Sequence, residues 1–464
     1  MKFNQTNYTI ENVSVAGKTL RYRSFKNLIY VDRPVCAQYQ QMNIYVPEAY
    51  YEDLSVNGYM ADTAPVFVPN YVGGYRPGEI VEPGSHEKNG IIEPNTVFQA
   101  LYHGYVVAVP ALRGRTLKDS EGMNIGKAPA AIVDYKAAVR FLRHYAEKFP
   151  GDKDKIITSG SSAGGALSAL MGATGNHPDY VSELEALGAA VERDDVLAAS
   201  CYCPITNLDH ADSAYEWQFY GVNSYYRRRL NVLDHTYSDE EGKLSDFQIQ
   251  VSGEERTQFP DYVNSLNLKG LDGKALTLET DGEGSFKEYI KDLVKESAQA
   301  ALDNGENIED KKWLVVCEGR VESVDFGGFV RDITRMKLPP AFDGLDLDNY
   351  ENDLFGDAEH DCCHFTQYSA DHSVCGGITA EYDAIKMMNP MYYIDDPDTK
   401  ITKYWRIRHG ECDRDTSLAV SAILAIKLQM AGNQVDYCIP WEIKHDGDYD
   451  LPELFEWIDG ICRV

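Results

Sequence analysis

The chain has no uninterrupted apolar run long enough to cross a membrane as a helix, and residues 1–25 lack the apolar core of a secretory signal. We therefore expect a cytoplasmic protein that does not insert into a membrane. The chain also lacks Gly/Ser-rich linkers and internal repeats. Because 44% of its residues are hydrophobic and 11% are aromatic, it has enough apolar surface to form a folded core.

Basic residues are scarce. The chain has 44 Lys and Arg against 73 Asp and Glu, which gives a formal net charge of −29. Such a surface repels phosphate backbones and anionic lipid headgroups, so we expect neither a nucleic-acid partner nor a membrane-surface role. A neutral or cationic small molecule remains a suitable partner. The sequence indicates no oligomeric state.

Cysteines are not clustered as they are in small secreted domains, because ten of them are scattered over 464 residues. Free thiols are therefore expected. A soft metal site is suggested only by His360, Cys362, Cys363 and His364. Adjacent cysteines fit one tetrahedral ion poorly, and no second CxxC pair follows them. The sequence therefore predicts no metal site.

Short apolar runs alternate with helical patterns over residues 1–200, which is typical of a mostly parallel sheet covered by helices. Runs at 64–69 and 105–111 are rich in β-branched residues and predict buried strands. Apolar residues at helical spacing predict an amphipathic helix over 131–148. A short strand follows at 155–158 and leads directly into a glycine-rich turn.

The pattern changes between residues 205 and 395, where acidic loops multiply and one clear helix is predicted at 285–302. The earlier pattern returns in predicted strands and helices at 404–408, 417–430, 435–439 and 451–461. We therefore predict an α/β protein whose single core is formed by 1–204 and 396–464, with an inserted lid domain at 205–395.

Residues 160–164 read Gly-Ser-Ser-Ala-Gly and form a GxSxG motif between a predicted strand and a predicted helix. This is the setting of the nucleophile elbow of the α/β-hydrolase fold, in which a sharp turn exposes the central serine. Ser162 is therefore the predicted nucleophile of a carboxylic ester hydrolase, and Ser161 is expected to pack. The alternative is a structural Gly/Ser turn.

A serine nucleophile needs a histidine as base and a carboxylate to orient that histidine, in the chain order serine, acid, histidine. His445 is the only histidine after the last predicted strand, so we favour it over His409. Asp413 and Asp415 both follow the strand at 404–408. We favour Asp413, because Asp415 also suits the N-cap of the next helix.

The tetrahedral intermediate of ester hydrolysis needs two backbone N–H donors. One donor is expected from Ala163, which follows the serine, and the other from a glycine-rich loop after an early strand. Asn-Tyr-Val-Gly-Gly-Tyr at 70–75 fits that position, so Gly73 and Gly74 are the candidates for the second donor. An ordinary glycine turn would look the same.

Five stretches become informative when they are taken together: GSSAGGALSAL, CPITNLDHADSAYEW, MKLPPAFDGLDLDNYENDLFG, RHGECDRDTSL and WEIKHDGDYD. This set resembles the bacterial tannases, which are tannin acyl hydrolases with an α/β-hydrolase core and a large lid. The resemblance implies hydrolysis of galloyl esters, small phenolic substrates, through an acyl-serine intermediate and without a cofactor. It implies the triad Ser162, Asp413 and His445, and it places the gallate-binding residues at Lys337, Glu351 and Asp415.

Other interpretations of the same residues stay open. The segment 343–361 holds eight carboxylates and no Lys or Arg, so Lys337 and Glu351 could lie on a solvated face. A feruloyl or general aryl esterase would use the same chemistry. A prolyl-oligopeptidase-type peptidase shares the core but usually carries a separate N-terminal domain. A catalytically inactive binding protein on the same fold is the alternative from another class.

Overall fold

A computed structural model describes residues 1–88, 90–230 and 237–463. Its strands are β1 Thr9–Val15, β2 Lys18–Ile29, β3 Gln41–Pro47, β4 Pro65–Pro69, β5 Ser85–Lys88, β6 Ile91–Pro94, β7 Val106–Pro110, β8 Asp152–Ser161, β9 Ala198–Tyr202, β10 Ser224–Leu230, β11 Tyr237–Lys243, β12 Leu314–Cys317, β13 Arg320–Val324, β14 Tyr404–Arg408 and β15 Gln434–Cys438.

The α-helices are α1 Thr96–Tyr102, α2 Ala130–His144, α3 Ala163–Ala173, α4 Val181–Leu187, α5 Leu208–Phe219, α6 Asp246–Arg256, α7 Phe259–Ser265, α8 Ser285–Asp303, α9 Phe326–Ile333, α10 Tyr350–Leu354, α11 Gln367–Asp371, α12 Tyr382–Met387, α13 Leu418–Met430 and α14 Leu451–Cys462. Short 3₁₀ turns occur at Ala37–Tyr39, Glu48–Glu52, Ala146–Lys148, Pro178–Tyr180 and Pro390–Tyr392.

The core is a nine-stranded sheet in the order β1-β2-β3-β7-β4-β8-β9-β14-β15. The strands from β7 to β15 pair in parallel, so their carboxyl ends meet at one edge. Strands β4, β7 and β9 are buried along their whole length, as parallel strands covered by helices must be. Helix α1 packs against α14, and α2 packs against α3. Loops that follow β4, β8, β14 and β15 therefore converge above one edge of the sheet.

The amino-terminal edge differs from the predicted parallel pattern. Strands β1, β2 and β3 are antiparallel, and β3 pairs antiparallel with β7. The β1–β2 hairpin turns at Ala16 and Gly17, both of which have positive φ, at 49° and 77°. This turn matches the right-handed twist of two antiparallel strands. The sequence signal was weak because β1 is largely exposed and so lacks a buried apolar run.

The chain leaves the sheet after β9 and returns to it as β14. These two strands are neighbours in the sheet, because they pair directly with each other. The predicted helix at 285–302 is confirmed as α8 Ser285–Asp303. The prediction of a single clear helix in this segment is wrong, since α5, α6, α7 and α9 also form there. Helices α5 and α6 have a weak amphipathic pattern, and α7 and α9 are only 7 and 8 residues long, so their sequence signals are weak. The boundaries at 204 and 395 stay a prediction.

Most elements predicted in the core are confirmed within a few residues. Strand β14 Tyr404–Arg408 has the predicted limits, and β8 Asp152–Ser161 is longer than the predicted strand at 155–158. The helix predicted at 131–148 ends earlier, at His144, and continues as a short 3₁₀ turn. None of the helices in the described residues is long and apolar enough to span a bilayer.

Candidate active site

Ser162 occupies a sharp turn between β8 and α3. Its backbone has φ 58° and ψ −123°, a conformation that residues other than glycine rarely adopt. The Ser162 N–H donates to the Tyr202 carbonyl at 3.0 Å, and the Ser162 carbonyl accepts from the Ala166 N–H at 2.9 Å. These hydrogen bonds hold the strained residue at the carboxyl edge of the sheet, as the GxSxG motif predicts.

Backbone segments lie so close to the glycines around Ser162 that no side chain fits at these positions. A Cβ at Gly160 would lie 2.4 Å from the Gly164 carbonyl oxygen, and a Cβ at Gly165 would lie 2.4 Å from the Tyr202 carbonyl oxygen. Real side chains do not tolerate such distances. These two glycines therefore let the turn close on itself and pack tightly against β9, and they keep the nucleophile in one position.

Asn70 fastens the glycine-rich loop after β4 to this turn. Its Nδ2 donates to the carbonyl oxygens of Ser159 at 3.1 Å and Gly164 at 3.0 Å, and to Ser168 Oγ at 3.3 Å. Its Oδ1 accepts from the Val72 N–H at 3.4 Å. Asn70 is therefore a positioning residue, because it fixes the predicted oxyanion loop relative to Ser162.

We expect Asn70→Ala to lower the free energy of unfolding by about 2 kcal/mol, since buried hydrogen bonds are lost and a small cavity remains. We also expect a fall in ester turnover at 25 °C, because the loop is no longer fastened. Asn43→Ala is the matched control: Asn43 on β3 is also 4% exposed but lies away from the turn. Thermal melts and esterase rates of both variants check this. Equal loss of activity in the two variants would contradict it.

His445 bridges Ser162 and Asp413. Its Nε2 lies 2.8 Å from Ser162 Oγ, and its Nδ1 lies 2.8 Å from Asp413 Oδ2. An ionised carboxylate can only accept hydrogen bonds, so the neutral imidazole carries its proton on Nδ1. The lone pair of Nε2 then accepts the hydroxyl proton of Ser162. The three side chains can therefore transfer a proton from Ser162 to His445 while Asp413 fixes the tautomer.

The electrostatics of this group favour the ion pair that the proton transfer creates. Burial lowers the pKa of His445, but the carboxylates of Asp413 and Asp415 outweigh it and hold that pKa well above its ordinary value. Burial alone would raise the pKa of Asp413, yet the imidazoles of His445 and His409 lower it below its usual range. Asp413 is 1% exposed, so water screens these charges little.

His409 has a structural position. Its Nδ1 lies 3.1 Å from Ser421 Oγ, and its Nε2 lies 3.8 Å from Asp413 Oδ2, beyond hydrogen-bonding distance. Burial lowers the pKa of His409, and the carboxylate of Asp413 acts against that shift. His445, not His409, contacts Ser162. Cys203 also lies beside His445, although no motif indicates it: its thiol lies 4.0 Å from His445 Nε2 and donates to the Asp446 carbonyl at 3.4 Å.

The alternative role of Asp415 as a helix N-cap is wrong. Helix α13 begins after Ser417, whose side chain accepts from the Ala419 N–H. The Asp415 N–H instead donates to Asp413 Oδ1 at 2.8 Å. This hydrogen bond ties the Asp415 backbone to the carboxylate that orients His445, and it leaves the Asp415 side chain available near the imidazole.

Three backbone N–H groups are free to bind a developing oxyanion. The N–H groups of Ala163, Gly73 and Gly74 donate to no acceptor within residues 1–88, 90–230 and 237–463. Ala163 is the first residue of α3, so the helix dipole also favours negative charge there. Gly74 has φ 54°, and its carbonyl accepts from Arg115 Nε at 2.8 Å. The choice between Gly73 and Gly74 stays open.

Lys337, Glu351 and Asp415 lie close enough for their charges to affect one another. Burial raises the pKa of Glu351, the ammonium of Lys337 acts against that shift, and the carboxylate of Asp415 adds to it. The Lys337 Nζ lies 3.6 Å from the centre of the Phe342 ring. Asp415 also acts on His445. Lys337 and Asp415 therefore both lie within electrostatic range of Glu351, and Asp415 also lies within that range of His445.

Arg115 is a residue of the site that the sequence analysis missed. Its guanidinium forms an ion pair with Asp353, and it stacks over the Tyr350 ring at 4.6 Å. Through its bond to the Gly74 carbonyl, it connects the predicted oxyanion loop to α10, which carries Glu351. Nothing in the local sequence marks Arg115, because the residues it joins are far away along the chain.

The acidic segment 343–361 is not a uniformly solvated face. Asp343 and Glu351 are buried, and Asp353 pairs with both Arg115 and Lys127. The solvated alternative is therefore wrong for Glu351. In the segment that suggested a metal, His364 Nδ1 lies 2.7 Å from Asp343 Oδ1 and His360 Nδ1 lies 2.9 Å from Asp357 Oδ2. One nitrogen of each imidazole is therefore hydrogen-bonded to a carboxylate of the chain.

Comparisons with solved structures give matches along the whole chain. The tannase of Fusobacterium nucleatum is 47% identical, with a TM-score of 0.94 and 99% of both chains covered. A tannase of Lactobacillus plantarum is 42% identical, with a TM-score of 0.94 and 99% of both chains covered. A tannin acyl hydrolase in complex with ethyl gallate is 43% identical, with a TM-score of 0.92, over 99% of this chain and 98% of that one.

Matches to families and curated proteins are shorter. A family model described as BD-FAE matches residues 77–233. Esterase LipC of Mycobacterium tuberculosis is 48% identical over 56 residues, which are 12% of this chain and 14% of that protein. Esterase LipQ of the same organism is 34% identical over 88 residues, 19% of this chain and 20% of that protein. This chain therefore aligns with only a small part of either esterase.

Proposed function

This chain belongs to the bacterial tannase family of α/β-hydrolases, and from that premise we propose that it hydrolyses galloyl esters through an acyl-serine intermediate. It is a carboxylic ester hydrolase, and a neutral phenolic ester suits its net charge of −29. Nucleophile, base, orienting acid and oxyanion donors are all groups of the chain itself, so the chemistry needs no cofactor. A cytoplasmic location stays a prediction.

The observation that carries the proposal is the 2.8 Å contact of His445 with both Ser162 and Asp413. His445 Nε2 accepts the Ser162 proton while Oγ forms a bond to the ester carbonyl carbon. The carbonyl oxygen becomes an oxyanion held by the N–H of Ala163 and of Gly73 or Gly74. His445 then gives its proton to the leaving alcohol oxygen. Water, deprotonated by the same imidazole, releases the acid in a second round.

Recognition of the acyl ring is assigned to Lys337, Glu351 and Asp415. Three adjacent phenolic hydroxyls can both donate and accept, so an ammonium and two carboxyl groups can bind them. Burial raises the pKa of Glu351, which favours its neutral form and lets it donate as well as accept. The ethyl gallate complex of a 43% identical tannin acyl hydrolase supports a galloyl ligand for this site.

The test compares methyl gallate with p-nitrophenyl acetate, which has no phenolic hydroxyls on its acyl group. In Lys337→Met and Glu351→Gln we expect kcat/KM for methyl gallate to fall about 100-fold, because each change removes a charge-assisted or buried hydrogen bond. The rate with p-nitrophenyl acetate should change by less than about threefold, since the triad is untouched.

Asp348→Asn is the matched control for this comparison, because Asp348 lies in the same acidic segment but is exposed. Its rates with both substrates should match those of the unmodified protein. Equal losses on the two substrates in Lys337→Met and Glu351→Gln would refute the galloyl site. Chlorogenate, tested in the same series, separates a feruloyl or general aryl esterase from a galloyl esterase.

A further inference from the structure

A small cavity lies next to the nucleophile, on the side away from Asp415. It has a volume of about 170 Å³ and is lined by residues 69–73, residues 159–161 and Asp448. Residues 69–73 end β4 and begin the loop after it, residues 159–161 form the end of β8, and Asp448 belongs to the loop that carries His445. Asp415, in contrast, follows β14. Because the sheet order is β4-β8-β9-β14, Ser162 stands between this cavity and Asp415.

Two of the residues that line the cavity have polar atoms without partners among the described residues. Tyr71 Oη and Ser159 Oγ are buried and form no hydrogen bond to any residue that the structure describes. Asp448 Oδ2 accepts from Thr96 Oγ1 at 2.6 Å, and its Oδ1 has no recorded partner in the described part of the chain. Buried polar groups are rarely left unsatisfied in native proteins, and ligands or water usually complete them.

Asp448 is held in an unusual conformation. Its φ of 56° lies in the left-handed region, and Gly447 before it packs so closely that an added Cβ would lie 2.6 Å from Ser161 Cβ. The loop therefore fits against the turn that carries Ser162. Burial raises the pKa of Asp448, the bond from Thr96 opposes that shift, and Asp446 and Asp450 add to it.

We propose that this cavity binds the leaving alcohol of the ester, that Tyr71 and Asp448 contact hydroxyl groups of that alcohol, and that it excludes alcohols carrying a carboxylate. The proposal rests on the esterase function proposed above. With the acyl ring bound toward β14, the alcohol must extend toward β4, where His445 protonates its departing oxygen. At about 30 Å³ per water molecule, the cavity has room for roughly six waters, enough for a small polyol.

The exclusion of anionic alcohols follows from charge. Asp446, Asp448 and Asp450 all lie in the loop after His445. Asp450 is paired with Arg406, whereas Asp448 faces the cavity. A carboxylate on the leaving alcohol would be placed against Asp448 in a poorly screened pocket, and like charges at such sites repel.

The experiment uses three galloyl esters of equal chain length: propyl gallate, glyceryl gallate, which adds two hydroxyls, and galloyl glycerate, which adds a carboxylate. We expect the unmodified protein to prefer glyceryl over propyl gallate by about tenfold in kcat/KM, the gain of one or two hydrogen bonds. Tyr71→Phe should lower this ratio by about three- to tenfold. Its Tm should not fall, because the lost hydroxyl has no partner among the described residues.

Asp448→Asn tests the exclusion of charge and keeps a side chain that tolerates a positive φ. It should raise the rate with galloyl glycerate relative to glyceryl gallate by about tenfold. Two matched controls should leave both ratios unchanged. Tyr51→Phe removes another buried hydroxyl without a recorded partner in the described ranges, and Asp62→Asn makes the same charge change at an exposed position.

Ratios that stay within about twofold of the unmodified protein in both Tyr71→Phe and Asp448→Asn would overturn the alcohol site. A loss shared equally by the three esters leaves the ratios unchanged and overturns it as well, because it reports a structural effect. Turnover of propyl gallate by the unmodified protein is a separate result: its absence would refute the proposed esterase function and not only the alcohol site.

Discussion

Ser162→Ala is expected to lower kcat for methyl gallate by about 10⁶-fold, since the covalent route is lost and His445 has no hydroxyl to deprotonate. The oxyanion donors and the substrate site remain, so a residual rate of about 10³-fold over water can persist. KM should change little. The loss is expected to be this large because Ser162, His445 and Asp413 act as one unit joined by two hydrogen bonds of 2.8 Å.

The measurement is release of gallate, together with mass spectrometry of the protein quenched during turnover. The unmodified chain should carry a galloyl group on the peptide that contains Ser162, and Ser162→Ala should not. Ser200→Ala is the control, because Ser200 is a buried serine on the neighbouring β9 whose Oγ has no recorded partner among the described residues. If Ser162→Ala kept a tenth of the rate, another nucleophile would be acting.

The nucleophile could be located from the sequence because its signal is local. GxSxG follows a short apolar strand and precedes a small-residue helix, and each of these features constrains the same few residues. His445 could be selected from chain order, since the last strand and last helix were recognisable. The α/β-hydrolase fold and the family resemblance are confirmed by relatives that match 99% of the chain.

Arg115 and Asn70 could not be predicted, because their roles exist only in three dimensions. Arg115 joins Gly74 to Asp353, which lies 238 positions further along the chain. Asn70 joins a loop after β4 to a helix after β8. Neither residue type is unusual in its local sequence. The burial of Glu351 could not be predicted for the same reason. An acidic segment is usually exposed to solvent, and only the ion pairs of Asp353 with Arg115 and Lys127 show that this segment packs against the rest of the protein.

The amino-terminal edge shows the limit of apolar periodicity. Strands β1 and β2 expose much of their surface, so they lack the buried runs that identified β4 and β7. Their pairing is fixed by the turn at Ala16 and Gly17 and by contacts across the hairpin.

The helix cap before α13 also differs from the local prediction. Asp415 has a side chain that suits an N-cap, but the cap is Ser417 because α13 begins later. Local propensity was overridden by tertiary position.

Asp413→Asn should lower kcat for methyl gallate by about 10⁴-fold, because an amide can hydrogen-bond Nδ1 in the wrong tautomer and cannot balance the imidazolium. It should also shift the pH dependence. His445 is active as a base only when neutral, so kcat/KM rises as pH rises through its pKa. Burial lowers that pKa and Asp413 raises it more. Removing the charge should therefore move the acid limb of the profile to lower pH.

Glu411→Gln separates this local effect from a general change in charge. Glu411 is buried two residues before Asp413, but its carboxylate accepts from Cys412 Sγ and the Glu442 N–H. Its variant loses one negative charge close to the site and should keep the acid limb where it is in the unmodified protein. A limb that moves to higher pH in Asp413→Asn, or an equal shift in both variants, would mean that Asp413 is not the group that sets the basicity of His445.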